Sequence, residues 1–189
     1  MPRSSSHQEA TPIDAPQHAD EQPMRLEQPR EDLIKEATAL VERVEFRLDG
    51  YSESVVVGFR RGGSASFYFG SERVFQFDAE KQLRRAYIDG QLLKAEQVGL
   101  VAVDRAGVPG RVVLKRRTLS LQQTTRILEL VAQQLWQLAA CLRAKTYSLV
   151  RQVPTETDVV GRIGDWLDSF ERPIRIAPRP HVGRSSRNR

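Results

Sequence analysis

The fold is decided by the stretch SVVVGFRRGGSASFYFGSERVFQFDAEKQLRRAYIDGQLLKAE, residues 54–96, in which apolar residues recur at every second position between short turns. Phe67 and Phe69 lie on one face of a predicted strand, because alternation places every second side chain on the same side of a sheet. Asp89-Gly90 is a strong hairpin signal, since glycine readily adopts the positive φ that a two-residue turn needs. The stretch therefore predicts an antiparallel meander.

The pattern extends in both directions and sets the fold class. Alternation from about residue 41 to residue 118 predicts about eight short strands, in a sheet that is curled or closed like a barrel. Residues 31–40 predict a short helix before the sheet. Residues 120–150, which contain neither proline nor glycine, predict a long helix after it. A capping sequence at residues 155–158 predicts a second, short helix. The predicted class is α+β.

Charge and composition divide the chain into four segments. We predict a disordered tail at 1–30, a helix-plus-meander domain at 31–118, a helical segment at 119–170 packed on the sheet or on a partner, and a disordered basic tail at 171–189. The net charge of +5 divides into −2 for 1–30, +2 for 31–170 and +5 for 171–189. The folded part is nearly neutral, and the excess of positive charge belongs to the C-terminal tail.

The residues that most often carry catalysis or bind metals are scarce in the predicted fold. All three histidines, His7, His18 and His181, fall in the predicted tails. Imidazole is the usual group for proton transfer near neutral pH and a common metal ligand. The single cysteine, Cys141, lies inside the predicted long helix, where we expect a small buried side chain rather than a reactive thiolate. We therefore predict a non-enzymatic protein with no cofactor and no metal site.

The long predicted helix has a heptad pattern of apolar residues. The interaction seam that we predict on it comprises Leu128, Val131, Leu135, Leu138, Leu142 and Leu149. Such a seam packs on the sheet, on a second copy of the chain, or on another protein. Our leading hypothesis is therefore a protein-interaction module that uses this helix, with self-association or a protein partner as the outcome.

Two other functions stay open. The candidate phosphate contacts Arg84, Arg85, Lys115, Arg116 and Arg117 would, with the basic tail, support weak, salt-dependent nucleic-acid binding. The near-neutral charge of the folded part instead favours an ordinary solvated outer face. The third hypothesis is a small-ligand or hydrolytic site at the mouth of the sheet, near Tyr68, Tyr87, Asp78 and Asp89. Tyr68 is expected to point away from Phe67 and to be exposed.

The sequence also predicts a compartment. It lacks the apolar run of a signal peptide near residue 1, and nowhere does it contain 18 consecutive apolar residues. A lone cysteine has no partner for an intramolecular disulfide, which favours a reducing environment. We expect a cytoplasmic protein that makes no membrane contact.

The run GFRRGGSASFYFGSERVFQFDAEKQLRRAYIDG, residues 58–90, resembles a group of small uncharacterised bacterial proteins in which a short helix also precedes a strand meander. The resemblance covers about residues 31–105 and depends on hairpin and aromatic positions. It implies a bacterial origin and a shared fold, and it brings no known activity.

Overall fold

A computed structural model describes residues 40–96, 99–108, 111–170 and 173–177. Within them the chain forms one antiparallel sheet and two helices, so the predicted α+β class and the meander are confirmed. The strands are β1 Glu42–Leu48, β2 Ser54–Phe59, β3 Ala65–Phe69, β4 Arg73–Phe77, β5 Leu83–Ile88, β6 Gln91–Glu96, β7 Gly99–Val108, β8 Arg111–Thr118 and β9 Tyr147–Val153. The helices are α1 Leu121–Ala144 and α2 Val159–Asp168.

The sheet has nine strands in the order β8-β7-β6-β5-β4-β3-β2-β1-β9. Strands β1 to β8 pair in sequence order, as tight hairpins dictate, and β9 then returns to pair with β1. A closed barrel would pair β8 with β9, whereas here they are the two edges and α1 connects them. The 24 residues of α1 span about 36 Å. Eight strand spacings span about 38 Å. The helix therefore has the length needed to pass from one edge of the sheet to the other.

Local capping fixes both ends of α1. At the start, the Ser120 hydroxyl accepts a hydrogen bond from the Gln123 backbone N–H at 3.2 Å, and the Gln123 carboxamide oxygen accepts one from the Ser120 N–H at 3.0 Å. At the other end Lys145 adopts a left-handed conformation with φ 56°. This turn stops the helix, because the Thr146 N–H bonds back to the Cys141 carbonyl at 3.0 Å.

The core lies between one face of the sheet and the two helices. The strand residues on this face alternate as the sequence predicts, and Phe67, Phe69, Phe75 and Phe77 are all buried. The largest fully buried side chains outside this aromatic group are Phe46, Leu48, Leu83, Leu93, Leu100, Leu135, Leu138 and Ile163. We call this side the core face and the opposite side the outer face.

Helix α2 packs on the aromatic part of the core face. Asp158 caps it by accepting a hydrogen bond from the Gly161 N–H at 2.8 Å. One turn further on, Arg162 pairs with Glu42 of β1 and lies 4.8 Å above the Phe59 ring. These contacts join α2 to β1 and β2.

Several finer predictions need correction. The helix predicted for 120–150 ends at Ala144, and Tyr147–Val153 is the ninth strand rather than helix. The segment 119–170 is therefore not purely helical. Residues 173–177, which we assigned to a disordered tail, pair with the start of β5: the Leu83 N–H donates to the Arg175 carbonyl at 2.7 Å. The predicted helix at 31–40 and the tail at 1–30 lie outside the described residues, apart from Leu40.

Candidate interaction surfaces

The seam predicted on the long helix is an internal contact. Val131, Leu135 and Leu138 have no exposed surface, and Leu128 and Leu142 are half-buried against the core. Leu149, the last member of the predicted seam, is not on the helix at all but on β9. The apolar stripe of α1 is therefore used to pack on the sheet and on α2, which leaves little of it for a partner.

Strand β9 forms an edge of the sheet and exposes apolar side chains. Leu149 is 51% exposed and Val150 is 53% exposed. Phe46 of β1 lies opposite Leu149, and Glu45 lies opposite Arg151, so a β-bulge leaves Val150 without a partner in the register. Within the described part of the chain no strand pairs with the other side of β9. The sequence signal for this strand is the β-branched and aromatic content of TYSLVRQV, residues 146–153.

A line of apolar side chains crosses the outer face. The strand register places them on five neighbouring strands, β2 to β6, in the order Val56, Tyr68, Val74, Tyr87 and Leu92. We call this set the apolar row. Tyr68 points away from Phe67 as predicted, but it is 5% exposed, so the prediction that it is an exposed contact is wrong.

Leu40 packs on the apolar row from outside the sheet. It is 5% exposed and clusters with Tyr68 and Val74. Its δ-carbon lies over Gly58 of β2, where an added Cβ would stand 2.7 Å from it. The Glu42 carbonyl oxygen of β1 would crowd the same Cβ, so the close approach of Glu42 and Leu40 favours glycine at position 58.

The five candidate phosphate contacts are not arranged on a single surface. Arg85 lies opposite Lys94 on the outer face, and Arg84 lies where the β4–β5 register shifts. Arg116 lies opposite Val103 and therefore points to the outer face. Its guanidinium group lies 3.8 Å from the Glu96 carboxylate. Its neighbours in sequence, Lys115 and Arg117, point to the other face because side chains alternate along a strand.

The acids of the third hypothesis are also separated. Asp78 follows β4, where its carboxylate accepts a hydrogen bond from the Gln82 N–H at 2.9 Å. Asp89 follows β5, with Arg73 at 4.0 Å. Because β4 and β5 are antiparallel, their carboxyl ends lie at opposite ends of the hairpin. The two carboxylates are therefore too far apart to act as a pair, while Tyr68 and Tyr87 lie between them on the outer face.

Cys141 has one notable polar neighbour. The Tyr51 hydroxyl donates a 2.6 Å hydrogen bond to the Gln137 carboxamide oxygen, one turn before Cys141 on α1. Burial raises the pKa of the Tyr51 hydroxyl, and the nearby Cys141 thiol raises it further, whereas Arg73 lowers it. The cysteine itself is half-buried against the core.

Among the residues that the structure describes, no three histidine, cysteine or carboxylate side chains lie close enough to hold a metal ion. No helix in the described ranges has the length and apolar character to span a membrane. No protein-family model matches the chain, and no curated protein or solved structure matches it either.

Proposed function

We propose that this chain is a non-enzymatic interaction module that pairs with a second copy of itself through strand β9. The observation that carries the proposal is an edge strand with two apolar side chains in solvent, Leu149 and Val150. An edge strand presents backbone donors and acceptors that a further strand can satisfy. Covering apolar surface in the same contact contributes about 25 cal/mol per Å² buried.

The two edges of the sheet differ in charge. At the β8 edge, Lys115, Arg116 and Arg117 follow one another and are all exposed. Charged side chains on an edge oppose pairing with another strand. Strand β9 carries a single charged residue, Arg151. This difference favours β9 over β8 as the edge that associates.

The sequence of β9 is compatible with itself in an antiparallel, two-fold arrangement. A pairing centred on Val150 places the two copies of Val150 opposite each other and Leu149 opposite Arg151 of the second copy. Because the bulge places Leu149 on the side of Phe46 and Arg151 on the side of Glu45, the two copies of Arg151 are not opposite each other in this pairing, and no like charges meet directly. Leu149 already lies opposite Phe46 of its own chain, so a second copy on β9 would cover apolar surface next to the core.

The test is the solution mass of the full chain, measured by light scattering after size exclusion over a range of concentrations. We expect a dimer that dissociates on dilution. Leu149→Lys and Val150→Lys each place a cation on the edge and should give a monomer with unchanged circular dichroism. The matched control is Leu121→Lys, because Leu121 is 83% exposed at the start of α1 and far from β9 in the topology.

A wild-type chain that stays monomeric at every concentration contradicts the proposal. Equal loss of the dimer in Leu121→Lys also contradicts it, since that result shows general sensitivity to added charge. If both β9 variants keep the dimer mass, association uses another surface and the β9 assignment is wrong.

A further inference from the structure

Strands β7 and β8 continue past the end of the strand that flanks them. Strand β6 pairs with β7 only as far as Val103, which lies opposite Leu92. Residues 104–108 of β7 then pair with residues 111–115 of β8, and among the described residues no further strand pairs with either segment. These paired segments form a two-stranded ribbon about 17 Å long, which we call the β7–β8 arm.

The arm leaves the sheet beside the β5–β6 turn. Leu92 is the second residue of β6, so the register position that follows Val103 on β7 is level with the end of the Asp89-Gly90 turn. A two-stranded segment without a third strand gains little stability from its own contacts. Its length beyond the sheet therefore favours a role in binding a partner.

The arm concentrates positive charge that the rest of the fold lacks. Residues 104–117 have a net charge of +4, whereas residues 31–170 as a whole have +2, so the remainder of that part carries −2. The only acid of residues 104–117 is Asp104, and the basic residues are Arg105, Arg111, Lys115, Arg116 and Arg117. A polyanion is therefore attracted to the arm more than to any other part of the sheet.

We propose that the β7–β8 arm binds the major groove of duplex DNA, a function separate from association through β9. The major groove of B-form DNA, about 12 Å wide, admits a two-stranded ribbon. The major groove of duplex RNA is too deep and narrow for protein side chains to read. The shape of the arm thus selects a DNA duplex among the polyanions that its charge attracts.

The faces of the strand at the base of the arm fit this placement. Arg116 points to the outer face, and Lys115 and Arg117 point to the other face; all three are exposed. A groove has phosphates along both of its walls, so cations on both faces of a ribbon have phosphates to contact. Arg116 lies 3.8 Å from Glu96, which partly neutralises its charge. We therefore assign the phosphate contacts to Arg105, Arg111, Lys115 and Arg117.

The test is fluorescence anisotropy of a labelled DNA duplex titrated with the full chain between about 50 and 200 mM salt. An RNA duplex of the same sequence is titrated in parallel. The wild type should bind DNA several-fold more tightly than RNA, with an affinity that falls as salt rises. Arg105→Gln combined with Arg111→Gln should reduce the slope of log affinity against log salt by about 2, since each phosphate contact contributes about 0.9.

The C-terminal tail provides the charge control, because it is also basic. Arg184→Gln combined with Arg187→Gln removes the same charge from the tail and should leave the preference for DNA over RNA unchanged. Circular dichroism melts verify that each variant keeps the sheet.

A second pair of variants separates the shape of the arm from its charge. Replacing residues 106–113 with Asn-Gly, a sequence that closes a two-residue hairpin, keeps Arg105 opposite Leu114 and removes the outer part of the arm. This shortened chain loses a single charged residue, Arg111, so Arg111→Gln is its matched control. The shortened chain should bind the two duplexes equally, whereas Arg111→Gln should still prefer DNA.

The proposal is wrong if the wild type shows no salt-sensitive binding to the DNA duplex, or if it binds both duplexes equally. A shortened chain that keeps the preference for DNA also overturns it, and so does a tail variant that loses the preference. Leu149→Lys should keep the preference even as a monomer, so DNA binding and association through β9 fail independently.

Discussion

The indole ring of Trp166 lies 4.9 Å from the ring of Phe67, centroid to centroid. Helix α2 thereby inserts an aromatic side chain into the core face, where Phe77 at 5.2 Å and Phe170 at 5.3 Å complete the cluster. Aromatic pairs in such geometry stabilise beyond the area that they bury. Trp166 therefore supplies the aromatic part of the contact between α2 and the sheet, beside the buried aliphatic side chains of Val159, Ile163 and Leu167.

Trp166→Ala should lower the free energy of unfolding by about 3–5 kcal/mol, the usual cost of removing a large buried aromatic side chain. Trp136→Ala is the matched control and should cost far less, because Trp136 is 38% exposed. Trp166→Phe should also cost less than the alanine change, since the buried indole N–H has no hydrogen-bond partner among the described residues. Urea unfolding followed by circular dichroism measures all three. Equal losses for the two alanine variants would contradict the packing argument.

A second prediction concerns the close approach of the chain at Gly58. A Cβ there would collide with the Glu42 carbonyl oxygen and crowd Leu40. Gly58→Ala should therefore destabilise the fold by about 1–3 kcal/mol, as overpacking does. Gly164→Ala is the control, because a Cβ at position 164 meets nothing within 4 Å. In the interior of α2 that change should stabilise by about 1 kcal/mol. The prediction is wrong if thermal melts show that both substitutions stabilise the fold or that both destabilise it.

Much of the sheet was predictable because its contacts are local. Phe67 and Phe75 lie opposite each other across one short hairpin, and alternation alone places both on the core face. The second helix was also predicted, from the capping sequence at residues 155–158, although the residue that caps it is Asp158 and not the first residue of that sequence. In both cases the residues that fix the structure are close together in sequence.

Strand β9 was missed because its partner is distant in sequence. Leu149 continues the heptad spacing of α1, and nothing local shows that Phe46 lies opposite it more than a hundred residues earlier in the chain. The left-handed turn at Lys145 ends the helix without the glycine that usually marks such a turn. Because Leu149 was assigned to the helix, the sequence predicted the interaction surface on α1, whereas the structure places the exposed apolar side chains on β9, at the edge of the sheet.

The seam of α1 gives a third prediction. Leu135 has no exposed surface, so Leu135→Glu buries a carboxylate among apolar side chains and should abolish the cooperative thermal transition. Gln133→Glu adds the same charge at an exposed position of the same helix and should change stability by less than about 0.5 kcal/mol. Circular dichroism melts separate the two outcomes. A folded Leu135→Glu chain with altered solution mass would instead mean that the seam is an intermolecular contact.

The last prediction follows from the raised pKa of Tyr51, whose hydroxyl is partly buried and donates to Gln137. The pKa of Tyr51 is higher in the folded state than its unfolded value, near 10. The contribution of Tyr51 to the stability of the fold is therefore fully present below the unfolded pKa, and it is lost as pH rises through the folded pKa. The wild type should therefore lose stability more steeply than Tyr51→Phe above pH 10. At neutral pH the variant should be less stable by about 0.5–1.5 kcal/mol, the value of one hydrogen bond. Parallel alkaline unfolding curves for the two chains would show that Tyr51 does not couple to folding.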